Sequence, residues 1–377
     1  MPEKKRQHFV PQFYLRFFTT DAKKETISLF HIASQRLISN VSIDRQAYKD
    51  YFYGADKVVE SGFELLEGRS AEVLKDMISK NAHPNYYSKE HHVILSFTIM
   101  LHARTLYSAE EQEESIEKLV KQIFSKDPRI KDHLDEVKIG LKNPTHWVIQ
   151  NAASMIPLVS DLGYKLLINR TKTPFITSDH PVVFYNQFFE KRRTWGSNTG
   201  LVSKGLQIFF PLSPKHYIIF YDKEMYKVGG FFHRPVSIKD SDNVNNLNGL
   251  QYLNAHKALY FNNDFTDVDA RSLITNFSKF KRAIMSNVEE YQAERNSKGQ
   301  QESLIHSFKE DVRSELSLSF VSPTKVARRF KMDNRSVYVR NETMTRIYDE
   351  FMSLVPKGVY KPSEFQKFFM DKYGPKK

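Results

Sequence analysis

The 377-residue sequence contains no cysteine. That absence removes disulfides, thiolate zinc sites, iron–sulfur ligation and a cysteine nucleophile from consideration. Long apolar runs are also missing. The purest, Val93–Leu101, spans nine residues and includes Ser96 and Thr98, well short of the roughly 20 that a membrane-crossing helix needs. Pro11, Gln12 and Arg16 interrupt the segment after the basic start Met1–Arg6, so it lacks the continuous apolar stretch of a signal peptide. Glycine and proline are few, at 14 and 15, which excludes fibrous and low-complexity classes. A soluble, cytoplasmic protein without membrane association is the expectation.

Most catalytic signatures are lacking too. There is no G-x-x-x-x-G-K-[ST] and no Gly-Lys dipeptide, which excludes a P-loop. Neither G-x-G-x-x-G, G-x-S-x-G nor H-E-x-x-H occurs, so a Rossmann cofactor site, a nucleophile elbow and a zincin helix are set aside. No E-x-K follows Asp179 on a strand-like run, as a restriction-type nuclease would require. The 13 histidines never fall at metal-ligand spacing. His91 and His102 share a helical run but lie about 16 Å apart along it. Any active site must therefore be assembled from distant segments.

What is present is a substantial apolar complement, 40% of residues with 13% aromatic, enough to bury a sizeable core. At roughly 150 residues per domain, the length favours two domains. The formal charge is +12, from 56 Lys+Arg and 44 Asp+Glu. It is unevenly spread: thirteen bases and six acids lie from Phe320 onward, giving +7 there. The body is near neutral. A basic end of this kind is either an element that attracts phosphate or a solvated cationic tail.

Periodicity predicts an α+β protein. Thr26–Ile32 and Arg36–Ile43 alternate as a hairpin, and Tyr48–Tyr53 is aromatic. Helical spacing then covers Lys57–Ser79, with Glu60, Glu64 and Glu67 alongside its apolar positions, and Ser88–Leu106. Ala109–Ser125, Asp127–Leu141 and Thr145–Asp161 read as further helices, with Ser108 and Thr145 as N-caps. Period two returns at Tyr164–Arg170, Pro174–Tyr185, Gly205–Pro211 and His216–Tyr221. Ser237–Lys257 and Val268–Arg295 read as helices, with Ala258–Phe261 a strand between them. The expected fold is thus a helical N-terminal half with a small β-hairpin, an antiparallel sheet in the middle, helices after it, and a small basic C-terminal element. The expected organisation is a body over 1–296, a linker over 297–301 (SKGQQ) and a basic accessory domain over 302–377.

Four clusters carry candidate chemistry. In His8–Arg16, polar His8, Gln12 and Arg16 punctuate an otherwise apolar segment. His8 is either a base or metal ligand beside an anion-holding Arg16, or part of a hydrogen-bonded anchor. Thr177-Ser178-Asp179-His180-Pro181 either presents Asp179 into a cleft or caps a loop. Arg104 sits at the end of an apolar helix, either paired with Glu60 or Glu67 or awaiting a phosphate. Asn243, Asn245, Asn246 and Asn248 suit a helix start, and alternatively cap a site.

Taken in order, HFVPQFYLRFF, the aromatic YFY, the paired glutamates, LHART, FITSDHPVV, FPLSP and VNNLN resemble the prokaryotic domain of unknown function 4238, over roughly residues 7–265. The resemblance implies positions rather than an activity: His8, Pro11, Gln12, Tyr14, Glu67, Arg104, Asp179, Pro181, Asn245 and Asn248. Residues beyond about 300 lie outside it. There, TKVARRFKM, Asp333-Asn334 and RSVYVRN outline a loose helix-turn-helix or a small basic domain packed on the body.

Two readings compete. One is a nuclease-like hydrolase of nucleic-acid phosphodiesters. His8, Gln12, Glu67 and Asp179 are its catalytic candidates, and Arg16, Arg104, Asn245 and Asn248 its substrate-binding candidates. His8 and Asp179 are then the candidate ligands for any Mg²⁺ or Mn²⁺. Arg328, Arg329, Arg335 and Arg340 are the expected RNA or DNA contacts. The alternative is a non-enzymatic nucleic-acid or protein binding module in which the same residues form a buried network.

Overall fold

Apolar side chains on both faces of the middle strands dictate the layering. The computed structural model describes residues 6–373 apart from positions 20, 22, 55–56, 142, 193–196, 232–233, 284–285, 296–300, 310–311, 334–337 and 362–363. The chain opens with strand β1 (Arg6–His8), the single turn α1 (Gln12–Leu15), and strands β2 (Thr26–His31), β3 (Arg36–Ser42) and β4 (Tyr48–Asp50). Helices α2 (Lys57–Lys80), α3 (Lys89–Ala103), α4 (Leu106–Phe124) and α5 (Pro144–Met155) follow. Next come β5 (Gly163–Asn169), β6 (Thr177–Ser178), β7 (Val183–Tyr185), β8 (Gln207–Ser213), β9 (His216–Tyr221), β10 (Tyr226–Val228) and β11 (Val236–Ile238). Then α6 (Ser241–Asn254), β12 (Ala258–Phe261) and α7 (Asp267–Phe277) lead to β13 (Asn287–Arg295) and β14 (Gln301–Phe308). The last elements are β15 (Val321–Pro323), α8 (Lys325–Arg329), α9 (Glu342–Leu354) and α10 (Phe365–Tyr373).

Two sheets form the centre, ordered β11-β5-β9-β8-β7 and β3-β2-β12-β6. All their pairings are antiparallel except β11 with β5. Along β5, Tyr164, Leu166 and Ile168 enter one core while Leu167 enters the other; β8 splits Ile208 and Phe210 from Phe209 in the same way. The first core adds the chain start and apolar residues of α2, α3 and α5, and the second adds α6 and α7. Sheets covered on both faces read as continuous apolar runs. That is the pattern of QIFFPLS and HYIIFY, in which every residue is buried.

The α+β class and most strands agree with the sequence reading, and Ala258–Phe261 agrees residue for residue. The helical N-terminal half does not. Residues 6–50 are mostly strands, and the helices occupy 57–155. Only a 3₁₀ turn, Lys131–His133, forms within the expected helix 127–141. Thr105 rather than Ser108 caps α4, accepting from the Ser108 amide. Helix α5 begins at Pro144, after Asn143. The helix expected over Ser237–Lys257 begins at Ser241, capped by Asp240, after strand β11. The long helix expected over Val268–Arg295 stops at Phe277, and its second half is β13, paired antiparallel with β14. The pattern VEEYQAER has no strong period of its own, so a partner remote in sequence decides it.

The SKGQQ stretch lies outside the described residues except Gln301, which pairs with Arg295 across the β13–β14 hairpin. Downstream, Val312, Leu316, Leu318, Ala327 and Tyr338 share the second core with the body. A third cluster joins Tyr348, Phe351, Phe365 and Phe368 to Leu158. The helix-turn-helix outline does not form among the described residues. Its first helix, α8, has five residues, and Val339 bridges Ser203 as a strand residue, the arrangement its β-branched side chain permits. No helix among the described residues is long and apolar enough to cross a membrane.

Candidate functional site

The site is built at the chain start. Strand β1 pairs with β4, placing His8 opposite Tyr48. Pro11, with φ −61°, is preset to begin a helical turn. Phe9, Val10, Tyr14, Leu15 and Phe18 all sink into the first core. Tyr14 fixes the turn: its hydroxyl donates to the Pro211 carbonyl at 2.8 Å and lies 2.7 Å from Thr177 Oγ1. With these apolar positions held inward, His8, Gln12 and Arg16 line a pocket of about 410 Å³. They face Glu60, Glu64 and Glu67 on α2, and Arg104 lies at the same pocket.

A relay connects the three polar residues. Arg16 Nη2 donates to Gln12 Oε1 at 2.9 Å, which turns the Gln12 amino group toward His8. Its Nε2 lies 3.2 Å from His8 Nε2. The same His8 nitrogen is 3.2 Å from the Asp44 carbonyl. One ring nitrogen cannot accept and donate at once, so the two contacts belong to two tautomers. With its proton on Nδ1, His8 accepts from Gln12; with the proton on Nε2 it donates to Asp44. Burial lowers the His8 pKa below its ordinary 6.5, against the opposing pull of the Asp44 carbonyl and Glu67. The ring is therefore mainly neutral at pH 7.

Arg104 closes the floor. Its side chain is only 4% exposed and pairs with Glu67 at 2.5 Å. Nε donates to Tyr53 Oη at 2.8 Å, and Nη2 to the His8 carbonyl at 2.7 Å. The guanidinium also lies over the Phe63 ring, 3.9 Å from its centroid. Burial pushes Tyr53 up to about 12, despite the opposing influence of Arg104. Gln7 completes the wall, donating to the Gly54 carbonyl at 3.2 Å and accepting from the Tyr53 amide at 2.5 Å.

Five expected site residues thus converge: His8, Gln12, Arg16, Glu67 and Arg104. The others do not join them. Asp179 is buried and accepts backbone N–H bonds from His256 (2.9 Å) and Lys257 (2.8 Å). It ties the TSDHP loop to the start of β12, and its carboxylate is not shared with His8 in a metal site. Asn248 is fully buried, bonding the Pro174 carbonyl and the Ile176 amide. Asn245 is exposed and borders a separate cavity. Both sit on α6, whose position on the second core keeps them away from the pocket. Pro181 stays beside α6, where its carbonyl accepts from Gln251. Among the described residues, no three His, Asp or Glu side chains converge with metal-ligand geometry.

The basic end divides as well. Arg328 and Arg329 are exposed on α8, and Arg335 lies outside the described residues. Arg340 is not available to a polyanion. Its side chain is 3% exposed and paired with Asp161 at 2.8 Å, and it also donates to the Leu158, Leu201 and Ser203 carbonyls.

Sequence reasoning missed Gln7, Asp44 and Tyr53 as lining residues. The spacing of Glu60, Glu64 and Glu67 at i, i+4 and i+7 marks one helical face and was a readable signal for the acidic wall. Nothing local marks Asp44, and the YFY motif marked Tyr53 only as aromatic; both flank β4, whose pairing with β1 brings them to the pocket. A family model described as "Protein of unknown function (DUF4238)" matches residues 6–265. No curated protein and no solved structure matches the chain.

Proposed function

We propose, for a chain that belongs to the DUF4238 family, a hydrolase of nucleic-acid phosphodiesters that works at the pocket of the chain start. His8 is the general base: neutral at pH 7, half-buried and open to a 410 Å³ cavity, it can take a proton from water or a hydroxyl. Gln12, itself oriented by Arg16, selects the tautomer with the proton on Nδ1, and the hydroxyl that loses its proton displaces the Gln12 amide from the single lone pair of Nε2. The exposed Arg16 and Arg6 meet the phosphate at the rim, because Arg104 is already engaged by Glu67, Tyr53 and the His8 carbonyl. Arg104 and Glu67 are then positioning residues that hold the His8 backbone. The observation that carries this reading is the relay Arg16–Gln12–His8 ending on an accepting ring nitrogen in an open pocket. Arg328 and Arg329 supply exposed cations of the basic end for the polyanion.

The test is degradation of labelled RNA and DNA in Mg²⁺, Mn²⁺ or EDTA, comparing wild type with His8→Ala and Gln12→Ala. Loss of a general base costs roughly 10²–10⁴-fold in rate. Equal rates for wild type and His8→Ala under every condition refute the reading. One observation favours a second reading, a binding module in which the same residues are structural: the Arg104 network is buried and satisfied. On that reading His8→Ala lowers stability and changes no rate.

A further inference from the structure

We propose that Tyr185, Gln187, Glu190, Asn243 and Asn246 form a groove that binds an extended peptide, and that this chain fills the groove with its own residues 312–320. The proposal is independent of the chemistry assigned to His8. Residues 312–319 alternate: Val312, Ser314, Leu316 and Leu318 are buried, while Arg313, Glu315, Ser317 and Ser319 are exposed. Such alternation ordinarily marks a strand, yet this segment adds to no sheet. Between Ser314 and Ser319 its backbone is held mainly by side chains, and at its end the Phe320 carbonyl accepts from the Gly229 amide at 2.8 Å.

Glu190 Oε1 accepts from three successive amides, Ser314 (3.0 Å), Glu315 (2.6 Å) and Leu316 (3.4 Å). Glu315 has φ +52°, the left-handed conformation that curls consecutive N–H groups around an anion. Tyr185 Oη accepts from the Ser314 amide at 3.0 Å. Gln187 Nε2 donates to the Leu316 carbonyl at 2.8 Å, and Asn246 Nδ2 to the Ser317 carbonyl at 2.9 Å. Asn243, 3% exposed, accepts from the Ser319 amide at 2.8 Å and donates to Ser319 Oγ at 3.0 Å.

Six backbone groups of one segment are thus read by five side chains, while alternate apolar residues enter the second core. Backbone bonding with pockets for every other side chain is how extended peptides are recognised. The receptor residues all lie within the matched family region 6–265, and the occupant lies wholly outside it. The segment therefore behaves as a tethered ligand of the body, and its chemistry defines the partner class: an extended peptide with small or aliphatic residues at alternate positions.

The test uses full-length chain carrying Leu316→Asp and Leu318→Asp, which empties the apolar positions and leaves the receptor side chains intact. A fluorescein-labelled peptide of residues 312–320 should bind this variant saturably, bind wild type far less, and lose binding when Glu190→Gln and Asn243→Ala are added. Failure to bind a variant that retains its sheet signal and thermal transition overturns the proposal. If the double variant does not fold, Glu190→Gln alone decides by hydrogen exchange. Removing a charged acceptor should speed exchange at Ser314–Leu316 roughly tenfold or more, while β8 and β9 stay protected. Equal loss of protection in segment and sheet would mean a core strand rather than a bound peptide.

Discussion

Removing Glu67 tests the core of the site, because it strands a buried guanidinium. Breaking a buried ion pair from one side costs about 3–5 kcal/mol. Here the Glu67 side chain is 26% exposed, and Arg104 keeps Tyr53 Oη and the His8 carbonyl as acceptors. Both facts move Glu67→Ala toward the low end, about 2–3 kcal/mol. At about 1.3 °C per kcal/mol, from roughly 2.1 cal/mol/K of unfolding entropy per residue, Tm should fall by roughly 3–4 °C. Arg104→Met in the same background removes the unpaired charge while filling much of its volume. The double variant should therefore be more stable than the sum of the single losses predicts, with a coupling of about 1 kcal/mol or more. Thermal or urea unfolding of the four proteins measures this. Strict additivity, or a Glu67→Ala loss below about 0.5 kcal/mol, refutes the view that Arg104 depends on Glu67.

Asp179→Ala should destabilise the chain by about 1–3 kcal/mol, since it leaves the His256 and Lys257 amides without their buried acceptor; hydrogen exchange at those two amides should rise first, and unchanged protection there contradicts the capping role. Charge reversal at Arg328 and Arg329 should reduce the salt dependence of nucleic-acid binding by roughly two in the log–log slope, measured by anisotropy between low and moderate salt. Arg340→Ala, by contrast, should lower the urea midpoint, because it removes a buried partner of Asp161. Burial holds His102 down to about 3, and His91 and His216 to about 4. Each is neutral when folded and protonates near 6.5 when unfolded, so the unfolded chain binds more protons below that pH. Stability should be complete above pH 6.5 and fall by about 1.4 kcal/mol per pH unit for each such histidine on acidification. Urea midpoints between pH 7 and 5 check this, and a slope no shallower in His102→Gln than in wild type removes His102 from the account.

The sequence by itself determined much that depends on neighbours in the chain. Continuous apolar runs at 164–170, 205–211 and 216–221 required buried strands, and Lys57–Ser79 required a helix. Four-residue spacing around Pro11 also set His8, Gln12 and Arg16 apart as polar positions in an apolar segment, so the cluster was legible before any fold was known, while the relay that joins them was not. The pairing of Arg104 with a glutamate of α2 was legible as an alternative, since a charge at the end of an apolar helix needs a partner. Tertiary structure decided what depends on contacts remote in sequence. Asp179 and Arg340 carry the same charges as the pocket's residues, yet one caps β12 and the other pairs with Asp161. Whether a charged side chain meets solvent, a ligand or a buried partner is set by what packs over it. The same holds for β13, which became a strand because β14 lies beside it, and for residues 312–320, whose alternation has meaning only against Glu190 and Asn243. Local periodicity fixes which face of a segment is apolar; only the packed chain fixes what that face, and the charges opposite it, will touch.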